Sequence, residues 1–480
     1  MAKKVIKSWP NLLKAREALP KEKNPIYVDS FSYPVLLENL SGEYFHIYTY
    51  GCQANIRDEE TIKGVLSQFG MRETSDIKEA RIIILNTCAV RENAENKVFA
   101  QIGELKALKN IQKKLLIGIC GCMIQQPDIL KVVVEKHPHV DFAFGTDQIS
   151  ELPDILNEVI VEGRGVINVR SGAGRIVENL PSVRNNDKQG FVNIMFGCDK
   201  FCTYCIVPFT RGRQRSRLKV DILKEVLEMK QNGYVEVTLL GQNVNAYGKD
   251  LDNGDTFASL LGDVARIGIP RVRFLTSHPW DFSDELIKVI KENDNIVRFL
   301  HLPIQSGSSK LLREMGRRYT ADDYRKIYYA LKKEIPDMAF STDIIVGYPT
   351  ETYEDFQETL KIVDELEYTQ YFTFIFSPRL GTFAATLNPV VTLKDHKKWF
   401  KELTDLCAKK LELQNQGYIG KTIDVLVLGI SKKNSKMMTG YTPDNKTIHF
   451  PGDSSMIDSM VRVRVLETKT FSIFGEIVYE

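Results

Sequence analysis

From residue 44 onward, hydrophobic positions fall into short β-like runs separated by longer stretches with helical spacing. Apolar or alternating runs at 44–50, 81–86, 115–119 and 141–144 read as strands, and the 3.6-residue periods at 56–69, 91–108, 127–136 and 150–159 read as helices. Strands that alternate with helices predict an open parallel sheet with helices on its faces. Residues 1–42 carry a Lys-rich opening with Pro10, Pro20 and Pro25 and no sustained apolar period. They are expected to form a flexible or loosely docked arm, with one short helix around 12–19.

A stretch rich in Gly, Arg and Asn, 161–186, reads as a linker between the sheet domain of 43–160 and a second alternation. That second alternation, 187–416, offers six strand candidates at 191–196, 235–240, 271–276, 299–304, 340–346 and 370–376, with the clearest helices at 220–231 and 353–366. Six βα units predict a partial (β/α)6 barrel, because a complete eight-stranded barrel takes about 250 residues. A helix over 394–416 leads into 417–480, where short β runs at 423–428, 438–441, 447–450, 460–466 and 471–478 alternate with turn clusters such as Pro443-Asp444-Asn445. These predict a small antiparallel β-barrel. The fold class is α/β throughout, with that terminal exception.

Composition narrows the function. Apolar residues make up 43% and charged residues 26% of 480, which fits globular domains and excludes global disorder. The 64 basic and 62 acidic residues nearly cancel, so any nucleic-acid contact must come from local patches. No apolar run reaches the length of a membrane span, and the opening Met1-Ala2-Lys3-Lys4 lacks an apolar signal core, which places the chain in the cytoplasm as an expectation. Eight cysteines are too few for a disulfide scaffold, so their placement decides their role.

Cys198, Cys202 and Cys205 form a CxxxCxxC immediately after the first strand of the second alternation. Three thiolates on one short loop suit three irons of a [4Fe–4S] cluster and leave the fourth iron without a protein ligand. A structural zinc site takes four ligands, and no second pair of this kind follows. In the first domain, Cys52, Cys88 and Cys122 each sit just past a predicted strand, separated by 36 and 34 positions. Strand ends of a parallel sheet share one edge, so these three thiols can meet, although strand-end cysteines are also common as small packed hydrophobes. Cys120 and Cys407 are read as packing residues.

The cysteine loop on a six-unit barrel resembles the radical S-adenosylmethionine enzymes. Thr49-Tyr50-Gly51-Cys52-Gln53-Ala54-Asn55, Asn86-Thr87-Cys88 and Gly121-Cys122 are similar to the auxiliary-cluster motifs of the methylthiotransferases within that superfamily. The stretches 90–99, 208–213, 239–245, 276–279 and 301–307 resemble the branch that acts on isopentenylated adenosine in tRNA. The resemblance covers about 44–480 in three blocks, and the last block resembles a TRAM domain. It departs at Ala54, Thr350 and the Gly440-Tyr441-Thr442 segment, none of them a cluster ligand.

The resemblance implies two [4Fe–4S] clusters, with the cofactor S-adenosyl-L-methionine cleaved at the Cys198, Cys202, Cys205 cluster and the methylthio group built at the Cys52, Cys88, Cys122 cluster. It also implies a tRNA anticodon stem-loop carrying isopentenyladenosine as partner, a reductant such as flavodoxin or ferredoxin, an iron–sulfur carrier, and a monomer. Gln242, Asn243, Gln305, Ser306 and Asp343, at or near strand ends, are expected to hold the cofactor. Arg211, Arg213, Arg215 and Arg217 alternate, and an extended segment would place them on one positive face able to hold phosphates. Lys432 and Lys433 extend that expectation to the terminal barrel. His278 and His301 are read as satisfied core or loop groups. Threonylcarbamoyl-adenosine in tRNA and a ribosomal-protein aspartate remain alternative substrates, because the clusters alone do not separate them, and an iron–sulfur RNA-binding sensor is the non-enzymatic alternative.

Overall fold

The β-branched run of Ala80–Thr87 is buried on both faces, which only a central strand of a helix-covered sheet provides. The computed structural model describes residues 4–17, 24–89, 92–172 and 174–479. Around Ala80–Thr87 it builds a seven-stranded parallel sheet in the order Val5–Ser8, Val166–Asn168, Phe142–Phe144, Leu116–Gly121, Ala80–Thr87, Tyr44–Thr49, Arg72–Glu73. One apolar cluster covers each face, and helices Gln53–Ser67 and Glu92–Ile111 begin just beyond strand ends. Residues 18–19 and 91, where two expected helices end and begin, lie outside the described residues.

Two expectations about the connections are corrected. The arm of 1–42 is not loosely docked throughout: Val5–Ser8 pairs in parallel with Val166–Asn168, and helix Pro34–Leu40 buries Leu36 and Leu40 completely. The linker of 161–186 supplies that same buried strand, Val166–Asn168. Runs of three or four residues show no period of their own, so partners some 160 positions apart along the chain create these strands.

The second unit contains all six expected strands. Gln189–Asn193, Glu236–Leu240 and Arg271–Phe274 form one parallel sheet, and Phe299–His301, Ala339–Val346 and Gln370–Ile375 form another. The Val272–Ile296 bridge spans the gap between the two sheets, giving an arc of six strands. The outer helices start where the sequence caps them: Thr320, Thr352 and Thr392 each accept from the backbone of an Asp three residues on, and that Asp returns the bond.

Strands Thr422–Ser431, Asn434–Tyr441, Thr447–Pro451, Met460–Lys469 and Ser472–Ile477 close into the terminal barrel. Its loops reach both free edges of the arc. Gln189, on the first strand, donates to Asp458 (3.2 Å), and Gln370, on the last, donates to the Asn445 carbonyl (2.7 Å). Arg273 Nη2 donates to Asn445 Oδ1 at 2.7 Å.

Candidate functional site

The three strands that carry Cys52, Cys88 and Cys122 are neighbours in the first sheet, so its C-terminal edge brings the cysteines together. The backbone there is held by a buried amide lattice. Asn55 Nδ2 donates to Asn86 Oδ1 and to the Thr87 carbonyl, both at 3.0 Å, Asn86 Nδ2 donates to the Asn55 carbonyl at 2.8 Å, and Cys122 N donates to the Thr87 carbonyl at 2.8 Å. Gly51 and Gly121 have φ of +135° and +94°, and a Cβ on Gly51 would stand 2.6 Å from Cys88 Cβ. Glycine is thus required for Cys52 and Cys88 to approach each other. The contact with Cys88 outweighs burial, and with help from Arg211 draws the Cys52 thiol down to about 5. Burial raises the Cys122 thiol, with Arg211 opposing it, and raises Cys120 further. Cys120 and Cys407 are buried, as packing residues should be.

Cys198, Cys202 and Cys205 lie on the loop between the strand Met195–Phe196 and the short helix Val207–Thr210. Gln242 Oε1 accepts from Gly197 N at 2.5 Å, and Thr203 is tied to the Glu314 carbonyl and the Tyr348 hydroxyl at 3.0 and 2.9 Å. Burial pushes the Cys198 thiol up to about 12 and the Cys205 thiol higher, each raised further by its neighbouring cysteines. Arg317, buried, points Nη1 at Cys202 Sγ (3.6 Å). Buried thiols whose ionisation is this unfavourable need a cation to become thiolates, which an iron cluster supplies. Three cysteines at each of two places, rather than four at one, fit iron clusters that leave one iron open better than a structural zinc.

The two triads adjoin. Ile206, next to Cys205, shares an apolar cluster with Cys122, Ala89 and Phe209. Arg211 crosses from the cysteine loop to the first domain, donating from Nε to Cys122 Sγ at 3.1 Å and from Nη2 to Asp58 at 2.6 Å.

The expected phosphate-binding row is corrected by these contacts. Arg211, Arg215 and Arg217 are buried and Arg213 is half-buried, and each faces a carboxylate. Arg213 grips Asp199 in two bonds of 2.6 and 3.1 Å, Arg215 grips Asp147 at 3.1 and 3.2 Å, and Arg217 grips Glu178 twice at 2.7 Å and Glu225 at 2.6 Å. Burial would raise Glu225, yet Arg217, Arg57 and Arg184 hold it at about 2. Through Asp58, Asp147 and Glu178 the row fastens the barrel to the first domain and the segment that follows it.

At the barrel's strand ends, Asn243 Oδ1, Asn245 Nδ2, Ser277 Oγ, His278 Nε2 and Gln305 Oε1 are buried without a hydrogen-bond partner. Thr276 and Gln305 hold left-handed φ of 69° and 74°, a strain that clusters at ligand sites. Buried orphan polar atoms are expensive unless a ligand completes them, and five around one rim fit a polar cofactor. Of the residues expected to hold the cofactor, Asn243 and Gln305 belong to this set. Gln242 and Ser306 do not: Gln242 supports the cysteine loop, and the fully buried Ser306 hydroxyl meets Thr359 and Ser308 N. Asp343 lies 3.6 Å from His301 Nε2. His278 is only half satisfied: its Nδ1 accepts from Trp280 N, and burial, followed by Arg317, Lys200 and Lys249, depresses its pKa and keeps it neutral. Sequence reasoning did not name Asn245, Ser277 or Arg317 as site residues, although Asn245 and Ser277 lie within the 239–245 and 276–279 stretches it singled out.

A parallel arc with a three-cysteine loop after its first strand and orphan polar groups around its rim defines a radical S-adenosylmethionine protein. Residues 192–363 match the radical SAM superfamily, 44–145 the uncharacterized protein family UPF0004, and 416–478 the TRAM domain. The tRNA-2-methylthio-N(6)-dimethylallyladenosine synthase of Staphylococcus saprophyticus is 47% identical, covering 98% of this chain and 91% of its own length. That of Geobacillus kaustophilus is 46% identical, covering 98% and 89%. The chain belongs to the family of tRNA-2-methylthio-N(6)-dimethylallyladenosine synthases. Its fold is shared with the radical S-adenosylmethionine methyltransferase TsrM of Kitasatospora setae (TM-score 0.53, 15% identity, 72% of this chain and 77% of that one). Among the described residues no helix is long and apolar enough to cross a membrane.

Proposed function

We propose that this chain is a radical S-adenosylmethionine methylthiotransferase that adds a methylthio group to C2 of N6-isopentenyladenosine at position 37 of tRNA, beside the anticodon. The observation that carries this reading is the pair of cysteine triads on adjoining strand edges, joined through Ile206, Cys122 and Arg211. An aromatic C–H bond offers no purchase to an acid, a base or a side-chain nucleophile, so one-electron chemistry is required. Bound clusters and cofactor supply a carbon-centred radical and an activated, methylated sulfur.

The chain's own residues divide the remaining work. Cys198, Cys202 and Cys205 hold one [4Fe–4S] cluster, and Cys52, Cys88 and Cys122 hold the other. Asn243, Asn245, Ser277, His278 and Gln305 bind S-adenosyl-L-methionine, with Asp343 beside them, Ser306 fixing the loop after Gln305 and Gln242 supporting the cysteine loop. Arg317 and Arg211 place positive charge beside Cys202 and Cys122. The exposed turn bearing Lys432 and Lys433 binds tRNA phosphates. The protein works in the cytoplasm as a monomer, with a one-electron donor such as flavodoxin or ferredoxin and an iron–sulfur carrier that restores the sulfur.

The test is a pair of variants on reconstituted protein, read by mass spectrometry. Cys202→Ala is expected to stop release of 5′-deoxyadenosine, whereas Cys88→Ala retains that release and yields no methylthio nucleoside. Thiomethylation by Cys88→Ala would refute the division of labour, and absence of 5′-deoxyadenosine from the unaltered protein would favour an iron–sulfur sensor.

A further inference from the structure

Six strands leave an arc open, and among the described residues its last strand, Gln370–Ile375, has a strand neighbour on one edge alone. Side chains alternate along it. Tyr371 packs into the core shared with the outer helices. Phe372 and Phe374 take the opposite face and remain 41% and 38% exposed.

The register fixes where those rings lie. Phe372 is paired with Asp343 and Phe374 with Ile345. The ring of His301 stands edge-on to Phe372, with centroids 5.8 Å apart, and His301 Nδ1 meets Ser341 Oγ at 2.8 Å while Nε2 faces Asp343. Gln305, whose Oε1 has no partner, joins the same sheet edge: its N–H donates to the Asp343 carbonyl and its carbonyl accepts from Ile345 N, both at 2.9 Å. Two exposed aromatic rings thus continue the rim of orphan polar atoms onto the open side of the arc. Rings left exposed at two alternate positions inside a barrel, against the strong tendency of Phe to be buried, mark a surface that a ligand covers.

We propose that Phe372 and Phe374 seat the isopentenyl chain of the modified adenosine and so select that base over its unmodified form, with the Asp343–His301 pair at the polar edge of the seat. This rests on the substrate reading above. The occupant follows from the chemistry of the surface: a polar heterocycle carrying a short branched alkenyl group matches a pair of bare aromatic rings bordered by an acid, an imidazole and an amide oxygen. A nucleobase without that group would leave the rings uncovered.

The experiment measures equilibrium binding of two anticodon stem-loop RNAs to the reconstituted holoprotein by fluorescence anisotropy. One RNA carries N6-isopentenyladenosine and the other adenosine at the same position. The unaltered protein is expected to prefer the isopentenylated RNA. Phe372→Ala and Phe374→Ala should each weaken binding of that RNA by about 10-fold or more while changing the unmodified RNA far less, since an apolar group lost from a pocket costs on this order. Phe372→Leu, which stays apolar, should keep most of the preference. Equal losses for both RNAs, or an undiminished preference in both alanine variants, overturns this assignment alone. An unaltered protein that binds both RNAs alike overturns the substrate reading and this assignment with it.

Discussion

Glu351 offers a quantitative test of the barrel's interior. Its side chain is 1% exposed, one carboxylate oxygen accepts from Gly347 N, and the other, Oε1, has no partner. Burial, reinforced by Asp355 and opposed by the Gly347 and Tyr348 amides, raises the carboxyl from 4.5 to about 7. Below pH 4.5 the folded and unfolded chains are both protonated at this group. Between 4.5 and 7 the unfolded chain gives up its proton while the folded chain keeps it, so stability falls as the pH climbs and remains reduced above 7. At about 1.4 kcal/mol per pH unit, the interval between the two values amounts to about 3 kcal/mol. Glu351→Gln removes the titration and keeps the shape. The variant should match the unaltered protein at about pH 4, below both values, and exceed it by up to about 3 kcal/mol at pH 8. For a domain of this size that is a rise of about 6–12 °C in the barrel's melting temperature by scanning calorimetry. Melting curves that differ equally at pH 4 and pH 8 would show that Glu351 is not held neutral, and the reasoning would fail.

Two further substitutions probe the sites directly. Gly51→Ala drives a methyl group into Cys88 Cβ and Asn55 Oδ1 at a φ of +135°, so iron per chain should fall by about half, as one of two clusters is lost; full iron content would show that Cys88 tolerates the displacement. Arg217→Met strips Glu178 of its buried partner and leaves Glu225 to Arg57 and Arg184, and should cost about 3–5 kcal/mol in urea unfolding, a loss below 1 kcal/mol indicating that the Glu178 carboxylate finds another partner.

The legibility of the chain followed the range of the forces involved. The strands that carry Cys52, Cys88 and Cys122 were readable because each has its own apolar run, and parallel pairing then puts their ends on one edge whatever the details. The three-cysteine loop was readable because its ligand spacing is local. The arginines at 211–217 were not. Alternating charge looks the same in sequence whether water or a distant carboxylate neutralises it, and Asp58 and Asp147 lie in another domain, more than 60 positions away. Val5–Ser8 was equally hidden, being a strand only because Val166–Asn168 accepts it. Asn245 and Ser277 escaped for another reason: an unsatisfied polar atom is a property of packing, visible only when every neighbour is known. Thr276 and Gln305 gave no warning of their left-handed backbone either, since neither is a residue that favours it.

The bonds from Asp458 to Gln189 and from Asn445 to Gln370 fasten the terminal barrel to the first and last strands of an unclosed ring. It therefore serves as a clasp, setting how wide the gap between those strands can spring. Cutting the chain after helix Leu393–Gln416 removes the clasp together with the exposed turn of Lys432 and Lys433. A loss of activity in such a truncation reports the geometry of the hoop as much as the affinity for tRNA.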